Sequence, residues 1–396
     1  MDAGTSTGER IAYWRRQRGL TQQTLAGLVG RSASWMTKVE RGVHIVDSTS
    51  LLVEIADVLE IDLGYLIGRV RQSRKSGKAL DPSENISAIY GALYAGTPRD
   101  RQPPHIARLR ADVERAGRLT CNGSYGAVAI MLPQLLLDAS VAVAQDGDAP
   151  DAWWCLAATY HVTSRFARDV GERDLALLTA DRACAAAQRS GDDLLLAASA
   201  RDLTFVLLRK GLLDQAGALC SDAADAIAPR DSTSLAGWSM WGSLRLTQAI
   251  ILARARDRSG PRHALRDAKA AAERVGPGRN DYWEAFGPAN VGAHEVAVAL
   301  ELFDPVKALL LADQVEVEEL PVPERRAHFL IDVARAHSLR QHDADTVLVL
   351  LEAISHSRED VRYSQKAHDM VRACIKRGKV RASRLRQLAE ELGVTS

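Results

Sequence analysis

Residues 22–42 read QQTLAGLVGRSASWMTKVERG, and this stretch decides the fold of the N-terminal part of the chain. It holds two short helical patterns separated by Gly30, and Ser32 is a good N-terminal cap for the second pattern. Two short helices that meet through a glycine-centred turn form the helix-turn-helix geometry. Apolar residues on the facing sides of the two helices form the seam: Leu25, Ala26, Val29, Met36 and Val39.

The spacing of these residues resembles the lambda-repressor-like, or XRE-type, family of DNA-binding domains. The positions typical of that family are occupied here by Gln22, Leu25, Ala26, Gly30, Ser32, Met36, Thr37, Val39, Glu40 and Gly42. Residues 47–68 resemble the two closing helices of the family, while Arg31 stands where an apolar residue is common. The resemblance covers residues 9–68 and implies a five-helix DNA-binding domain over residues 1–68.

The resemblance also implies roles for individual residues on a double-stranded DNA operator. The helix that begins at Ala33 would be the recognition helix, entering the major groove with Ala33, Ser34 and Lys38 towards the base edges. Gln22 would hold a phosphate, and Arg15 and Trp35 are candidates for further contacts with the DNA backbone. Trp35 could equally pack within the domain, and Glu40 is interpreted as a structural salt bridge or cap. The predicted DNA-binding residues are Arg15, Gln22, Ser32, Ala33, Ser34, Trp35, Lys38 and Arg41.

Charge is distributed unevenly along the chain. The net charge of the 396 residues is +1, so the whole chain is not a general binder of polyanions. Residues 9–45 are locally basic, which fits DNA binding, although a solvated surface has the same composition. Residues 69–84, RVRQSRKSGKALDPSE, are predicted to be a basic linker. Residues 85–149 are predicted to be an irregular helical segment that Pro98, Pro103, Pro104 and Pro133 break.

From residue 150 to residue 396 the sequence contains an internal repeat. Ala176-x3-Ala180-x2-Ala183 recurs with starting points at residues 216, 264, 308 and 346, which is typical of helical hairpins with variable insertions. Spacings of four and three place small residues on one helix face, where a second helix can approach closely. Trp153-x2-Leu156-Ala157-x2-Tyr160 resembles the first helix of a tetratricopeptide repeat. The predicted fold class is therefore all-α, a five-helix helix-turn-helix domain followed by a tetratricopeptide-like α-solenoid with C-terminal capping helices.

In tetratricopeptide repeats the first helix of each pair lines the concave face, and we expect a ligand there. Aromatic rings beside Arg and Asn suit a peptide or a small polar molecule as effector. Asn290 could instead only support the start of its helix after Pro288, and the Trp residues could belong to the core. The predicted ligand-binding residues are Trp154, His161, Arg201, Phe205, Arg245, Asn290, His328 and Arg335.

The combination of an XRE-type domain with tetratricopeptide-like repeats resembles peptide-sensing regulators of Gram-positive bacteria. Residues 286–304 and 320–337 are similar to a type found in actinobacterial regulators. One helix-turn-helix contacts only a half-site, so the resemblance implies a homodimer on a near-palindromic operator. The alternative is an antitoxin-like or scaffold protein whose repeats dock a partner protein.

The sequence favours neither an enzyme nor a membrane protein. It has no GxxxxGK[ST], GxGxxG, HExxH or GxSxG pattern, and its histidines are scattered. The five cysteines are far apart and form no CxxC, so we expect free thiols, no metal site and no cofactor. No apolar run looks long enough to span a bilayer, and no signal pattern opens the chain. We therefore expect a cytoplasmic regulator that needs no cofactor.

Overall fold

Each of the first three helices begins after a residue with a hydroxyl side chain, and Ser32 is the cap that the sequence predicts. In the computed structural model, helices α1 (Thr7–Gln17), α2 (Gln22–Leu28) and α3 (Ala33–Glu40) start after Ser6, Thr21 and Ser32, and α4 covers Thr49–Val58. Each capping hydroxyl accepts a hydrogen bond from a backbone N–H of the first turn. The structure describes residues 6–18, 20–44, 46, 49–59, 66, 82–96, 102–230, 232–257, 259–378 and 382–394. Regular structure in these ranges is helical throughout, with no β-strand.

The predicted seam of the helix-turn-helix is buried. Leu25 and Met36 are fully buried, and Ala26, Val29 and Val39 are nearly so. Gly8 makes the close approach of α1 to α3 possible, because an added Cβ would lie 1.9 Å from the carbonyl oxygen of Val39. Most of the predicted fifth helix and of the linker at residues 69–84 lies outside the described residues.

The chain divides into two compact units. The first contains Met1–Gly96 together with Tyr125–Leu137, and the second contains Thr97–Ser124 together with Asp138–Ser396. Helix α5 (Ile86–Tyr94) belongs to the first unit and α6 (Ile106–Cys121) to the second, while α7 (Tyr125–Gln145) is shared. The domain boundaries that the sequence favours, at residues 68, 84 and 149, stay predictions.

Two sequence-based expectations about the region of α7 are wrong, one on Pro133 and one on the length of its apolar run. Pro133 does not break it, since burial of the surrounding Met131, Leu132 and Leu136 offsets the hydrogen bond that a proline removes. Among the described residues, α7 is also the one helix long and apolar enough to cross a bilayer. The expectation that no apolar run has that length is therefore wrong. Because 56% of its apolar stretch is buried inside the structure, and core helices meet the same criterion, it is weak evidence for a membrane span.

Five helix pairs follow in the second unit, and short loops make the two helices of each pair antiparallel neighbours. The pairs are α8 (Pro150–Asp169) with α9 (Arg173–Ser190), α10 (Asp193–Arg209) with α11 (Leu213–Ala226), α12 (Leu235–Arg254) with α13 (Gly260–Val275), α14 (Pro288–Glu301) with α15 (Pro305–Ala312), and α16 (Pro323–Leu339) with α17 (Asp343–His356). Helices α18 (Arg358–Tyr363), α19 (Gln365–Arg377) and α20 (Ala382–Leu392) end the stack.

The small-residue stripe opens the second helix of each pair, as the repeat predicts. Ala176, Ala180 and Ala183 are at most 1% exposed, and so are Ala264, Ala268 and Ala271. The fold class is thus all-α, with an N-terminal helix-turn-helix and a tetratricopeptide-like stack of helix pairs.

Each pair turns through one residue in the left-handed region of the backbone map. Gly171 and Gly211 hold this position in the first two pairs, with φ of 89° and 79°. Arg256, Phe303 and Gln341 hold it in the other three, with φ of 60°, 62° and 59°. A residue with a side chain is strained there by roughly 1–2 kcal/mol. The repeat therefore keeps its turn geometry even where the sequence does not supply glycine.

We predict that Gln341→Gly raises the free energy of unfolding by about 0.5–1 kcal/mol, because it removes this strain. The matched control is Gly211→Ala, whose added Cβ meets no atom within 4 Å, so only its φ can cause a loss. The control should lose about 1 kcal/mol. Urea unfolding followed by tryptophan fluorescence measures both, and a change of the same sign in the two variants would contradict the assignment.

Candidate DNA interface and the interior of the repeats

Helix α3 presents one face to the domain core and the other to solvent. Met36 and Val39 are buried on the inner side, whereas Ala33, Ser34 and Lys38 are exposed. The hydroxyl of Ser32 accepts a hydrogen bond from the N–H of Trp35 at 3.2 Å, which fixes the start of the helix. The face that the sequence predicts to read bases is thus free of packing within the domain.

The remaining predicted contacts surround this face. Ser32 and Arg41 are exposed, and Trp35 is half-buried. The guanidinium of Arg31 lies 5.7 Å from the centre of the Trp35 ring, within cation–π range. A half-buried ring fits both hypotheses for Trp35, packing and backbone contact.

Glu40 ties the first three helices together. Its carboxylate accepts hydrogen bonds from Arg15 Nε at 2.6 Å and Nη2 at 2.9 Å, and from Gln22 Nε2 at 2.7 Å. The Gln22 carbonyl in turn accepts a hydrogen bond from the Thr37 hydroxyl at 2.9 Å. Glu40 therefore has the structural role that the sequence favours. Arg15 and Gln22 belong to the same network, and their contacts with phosphate stay predictions.

The charge state of this network follows from its contacts. Burial alone would raise the pKa of Glu40, but hydrogen bonds from Arg15 and Gln22 and the charge of Arg15 outweigh it and hold the pKa below its ordinary value. The hydrogen bond to Glu40 raises the pKa of Arg15. Both groups are ionised at neutral pH, so the position of α3 is held by a charge-assisted bidentate pair.

The residues predicted to bind a ligand in the repeats are less accessible than the sequence implies. Trp154, His161, Arg201 and Asn290 are at most 7% exposed. The other four are partly exposed and already contact residues of the chain. The Arg201 guanidinium lies over the Phe205 ring, and His328 lies 3.4 Å from the Asp360 carboxylate. Ion pairs join Arg245 to Asp267 and Arg335 to Glu301. The side chains of the first four are therefore covered by other parts of the chain in this structure. Ligand binding by any of the eight stays a prediction.

Two of these buried residues, His161 and Arg201, contact the connection between α13 and α14, which we call the interior segment (residues 280–286). Trp283, Glu284 and Phe286 of this segment are at most 7% exposed. Tyr282, Trp283 and Ala285 all have positive φ, between 48° and 62°. A backbone this unfavourable persists only where its surroundings hold it in place.

Two helix glycines make room for the aromatic rings of the interior segment. A Cβ on Gly117 would lie 2.2 Å from the Trp283 ring, and one on Gly242 would lie 2.1 Å from the Phe286 ring. On its other side the Trp283 ring stacks on His161, with ring centroids 5.9 Å apart. The rings therefore reach the helix backbones directly.

Arginines from three different first helices bind the interior segment through its polar atoms. Arg165 of α8 donates a hydrogen bond to the Trp283 carbonyl at 2.6 Å and pairs with Glu324 at 2.7 Å. Arg201 of α10 pairs with Glu284, and Arg325 of α16 lies 3.6 Å from the same carboxylate. The sequence predicts an external ligand for Arg201, whereas its partner in the structure is the Glu284 carboxylate, 83 residues further along the chain.

Burial and charge act in opposite directions in this cluster. Burial would raise the pKa of Glu284, yet Arg201, Arg165 and Arg325 lower it to about 2. Burial lowers the pKa of His161 to about 4, so this ring is neutral at physiological pH. The interior of the repeats thus contains a fixed carboxylate, fixed guanidinium groups and an uncharged imidazole.

Sequence analysis missed the interior segment and the glycines that accommodate it. One available signal was Gly242, because a glycine inside an otherwise apolar helix marks a close approach. The contacts themselves join residues more than 40 positions apart, and no local pattern predicts them.

We predict that Arg201→Met costs about 3–5 kcal/mol of unfolding free energy, because it leaves the Glu284 carboxylate buried with weaker compensation. The double variant Arg201→Met, Glu284→Met should lose less than the sum of the single losses, with a coupling of about 1–3 kcal/mol. Arg335→Met is the control, since its partly exposed pair with Glu301 should be worth at most about 1 kcal/mol. Urea unfolding of wild type, Arg201→Met, Glu284→Met, the double variant and Arg335→Met measures these losses. If the losses of the two single variants add up to the loss of the double variant, the pair is not coupled.

Comparison with known proteins supports the N-terminal geometry. Residues 7–64 match the helix-turn-helix domain family. No curated relative matches the chain. Among solved structures, Bacillus thuringiensis PlcR in complex with the peptide PapR7 and DNA has a TM-score of 0.39 and 13% identity, over 85% of this chain and 98% of that chain.

Two other solved structures are comparably distant. A PrgX mutant has a TM-score of 0.29 and 9% identity, over 85% of this chain and 95% of that chain. The human IFIT1 dimer with m7Gppp-AAAA has a TM-score of 0.34 and 14% identity, over 99% of this chain and 88% of that chain. Structural similarities this weak say nothing about what the present chain binds. The match to the family model shows that residues 7–64 are a helix-turn-helix domain.

Proposed function

We propose that the chain is a sequence-specific DNA-binding transcription regulator that acts in the cytoplasm. The observation that carries this proposal is the exposed face of α3 with Ala33, Ser34 and Lys38, on a helix whose position is held by the Glu40 network. A recognition helix needs both properties, because base contacts require an exposed face and specificity requires a fixed one.

We further propose that two copies of the chain bind one operator. A single helix of eight residues reaches only a half-site, which gives weak affinity on its own. A homodimer would place two recognition helices on half-sites about one helical turn apart, or a multiple of it.

The repeats are proposed to respond to a peptide or small-molecule effector. Supporting this, polar groups on the first helices of four pairs are buried without a hydrogen-bond partner among the described residues: both ring nitrogens of His161, the hydroxyls of Ser199, Ser239 and Ser243, and the Asn290 amide nitrogen. Each such group costs roughly 1–3 kcal/mol until a ligand or water satisfies it. An effector with an aromatic ring and a carboxylate could take over the contacts of Trp283 and Glu284.

A second candidate function is protein docking, either of a partner or of a second copy. Phe303, Val306 and Leu310 are 71%, 51% and 62% exposed at the start of and along α15. Val306 and Leu310 are four residues apart and lie on one face of α15, and Phe303 lies in the turn before the helix. Exposed apolar surfaces of this kind mark interaction sites. This candidate requires no effector inside the repeats.

For DNA binding we predict that Lys38→Ala weakens specific operator affinity by about 1–3 kcal/mol and affects scrambled DNA much less. Lys376→Ala, which changes an exposed lysine of α19, is the control and should change neither affinity. Fluorescence anisotropy with both DNAs measures the effect. An equal loss on operator and scrambled DNA would reassign Lys38 to a phosphate contact.

For the effector we predict that a synthetic peptide with the sequence of residues 280–287 changes operator affinity by about 5–150-fold in a Trp283→Ala variant. Wild type should respond less, because its own tethered segment competes at high effective concentration. Gly117→Ala is a second variant, since its added Cβ displaces the same ring, and a scrambled peptide is the control.

If neither folded variant responds, the effector proposal is wrong and docking through α15 is favoured. In that case Leu310→Ser should dissociate the assembly that light scattering detects, and Leu212→Ser, which changes an isolated exposed leucine, should not.

A further inference from the structure

The turn of the fifth helix pair brings together two imidazoles and a carboxylate. His337 lies in the last turn of α16, His342 caps α17 and Asp345 lies in the first turn of α17. The Nδ1 atoms of both histidines lie 3.9 Å from the same oxygen, Asp345 Oδ2. The three potential ligand atoms all fall within 4.8 Å of one another.

These separations are too long for hydrogen bonds but suit a shared cation. Zinc binds imidazole nitrogen at about 2.0–2.1 Å and carboxylate oxygen at about 2.0–2.2 Å. The ligand atoms of a tetrahedral site with bonds of this length lie about 3.3–3.6 Å from one another. The two observed separations of 3.9 Å are only slightly longer than that. Small side-chain rotations are then enough to complete the coordination.

An unsatisfied nitrogen in the same cluster is an independent observation. Nδ1 of His337 is shielded from solvent and has no hydrogen-bond partner among the described residues. Burial is the main cause that lowers the pKa of His337, with His342 and Arg340 adding to it against Asp345. An imidazole nitrogen without a hydrogen-bond partner is available as a metal ligand.

The fifth pair differs from the others at each of these positions. The position of His337, four residues before the left-handed turn residue, is Ala167, Leu207, Leu252 and Ala299 in the other pairs. The position of Asp345, four residues after the turn residue, is Leu175, Gln215, Gly260 and Lys307. Packing of the repeat thus requires no histidine or carboxylate at these two positions. Among the described helix pairs, two imidazoles and a carboxylate come together in the fifth.

We propose that His337, His342 and Asp345 bind Zn²⁺ or a similar borderline divalent cation such as Co²⁺. Two imidazoles and one carboxylate are a ligand set that zinc favours, and three protein ligands leave a fourth position for water or another ligand. The ion would link α16 to α17 across their turn and stabilise the fifth pair. This site is independent of DNA binding and of the effector.

The test is a titration of the full chain, freed of metal by a chelator, with CoCl₂ and then ZnCl₂. We expect one Co²⁺ per chain with the visible absorption of a low-coordinate nitrogen and oxygen site, displaced by one equivalent of Zn²⁺. His342→Ala and Asp345→Ala should each weaken binding by about tenfold or more, because each removes one of three ligands. Both side chains are 41–53% exposed, so the variants should fold.

His356→Ala is the matched control, since this histidine lies at the other end of α17 and outside the cluster. It should bind Co²⁺ like wild type. The proposal is overturned if wild type shows no such absorption, or if both ligand variants bind with unchanged affinity. A rise of the thermal midpoint with Zn²⁺ in wild type and not in Asp345→Ala is the second readout, independent of the spectrum.

Discussion

The packing of the helix pairs against one another depends on the buried carboxylate of Glu284 and on the arginines that surround it. An unpaired charge in this position would cost several kcal/mol, and the cost is offset only while Arg201 and Arg325 remain in place. These arginines belong to α10 and α16, and Arg165 of α8 binds the neighbouring carbonyl. A shift of these helices relative to one another would separate buried charges from their partners, so the interior segment links three helix pairs of the stack.

This constraint explains features that otherwise look unrelated. Tyr282, Trp283 and Ala285 keep their strained positive φ because the ion pairs and the two buried rings hold the backbone of the segment in place. Gly117 and Gly242 are required because the rings touch the helix backbone. Beside the segment, both ring nitrogens of His161 are buried without a hydrogen-bond partner in the part of the chain that the structure describes.

Sequence analysis succeeded where the determinants are local. Caps at Thr21 and Ser32 and the seam of Leu25 and Met36 define the helix-turn-helix, and the small-residue stripes define the helix pairs. The sequence does not predict contacts between residues that are far apart along the chain, or clusters that form only where a turn brings side chains together. Arg201 could not be assigned to Glu284 from its neighbours in sequence, and His337 with His342 forms a cluster only because a turn brings them beside Asp345. Pro133 was misjudged because burial of the surrounding helix, which exceeds the cost of a proline, is not visible in a local pattern.

The central claim is that the interior segment is part of the core of the repeats in the absence of any ligand. Amide hydrogen exchange of the full chain tests it most directly, by comparing residues 281–286 with the middle of α10. The account predicts that the segment exchanges as slowly as that helix, because both open only when the stack opens. Exchange of the segment at the rate of an exposed loop, while α10 stays protected, would contradict it.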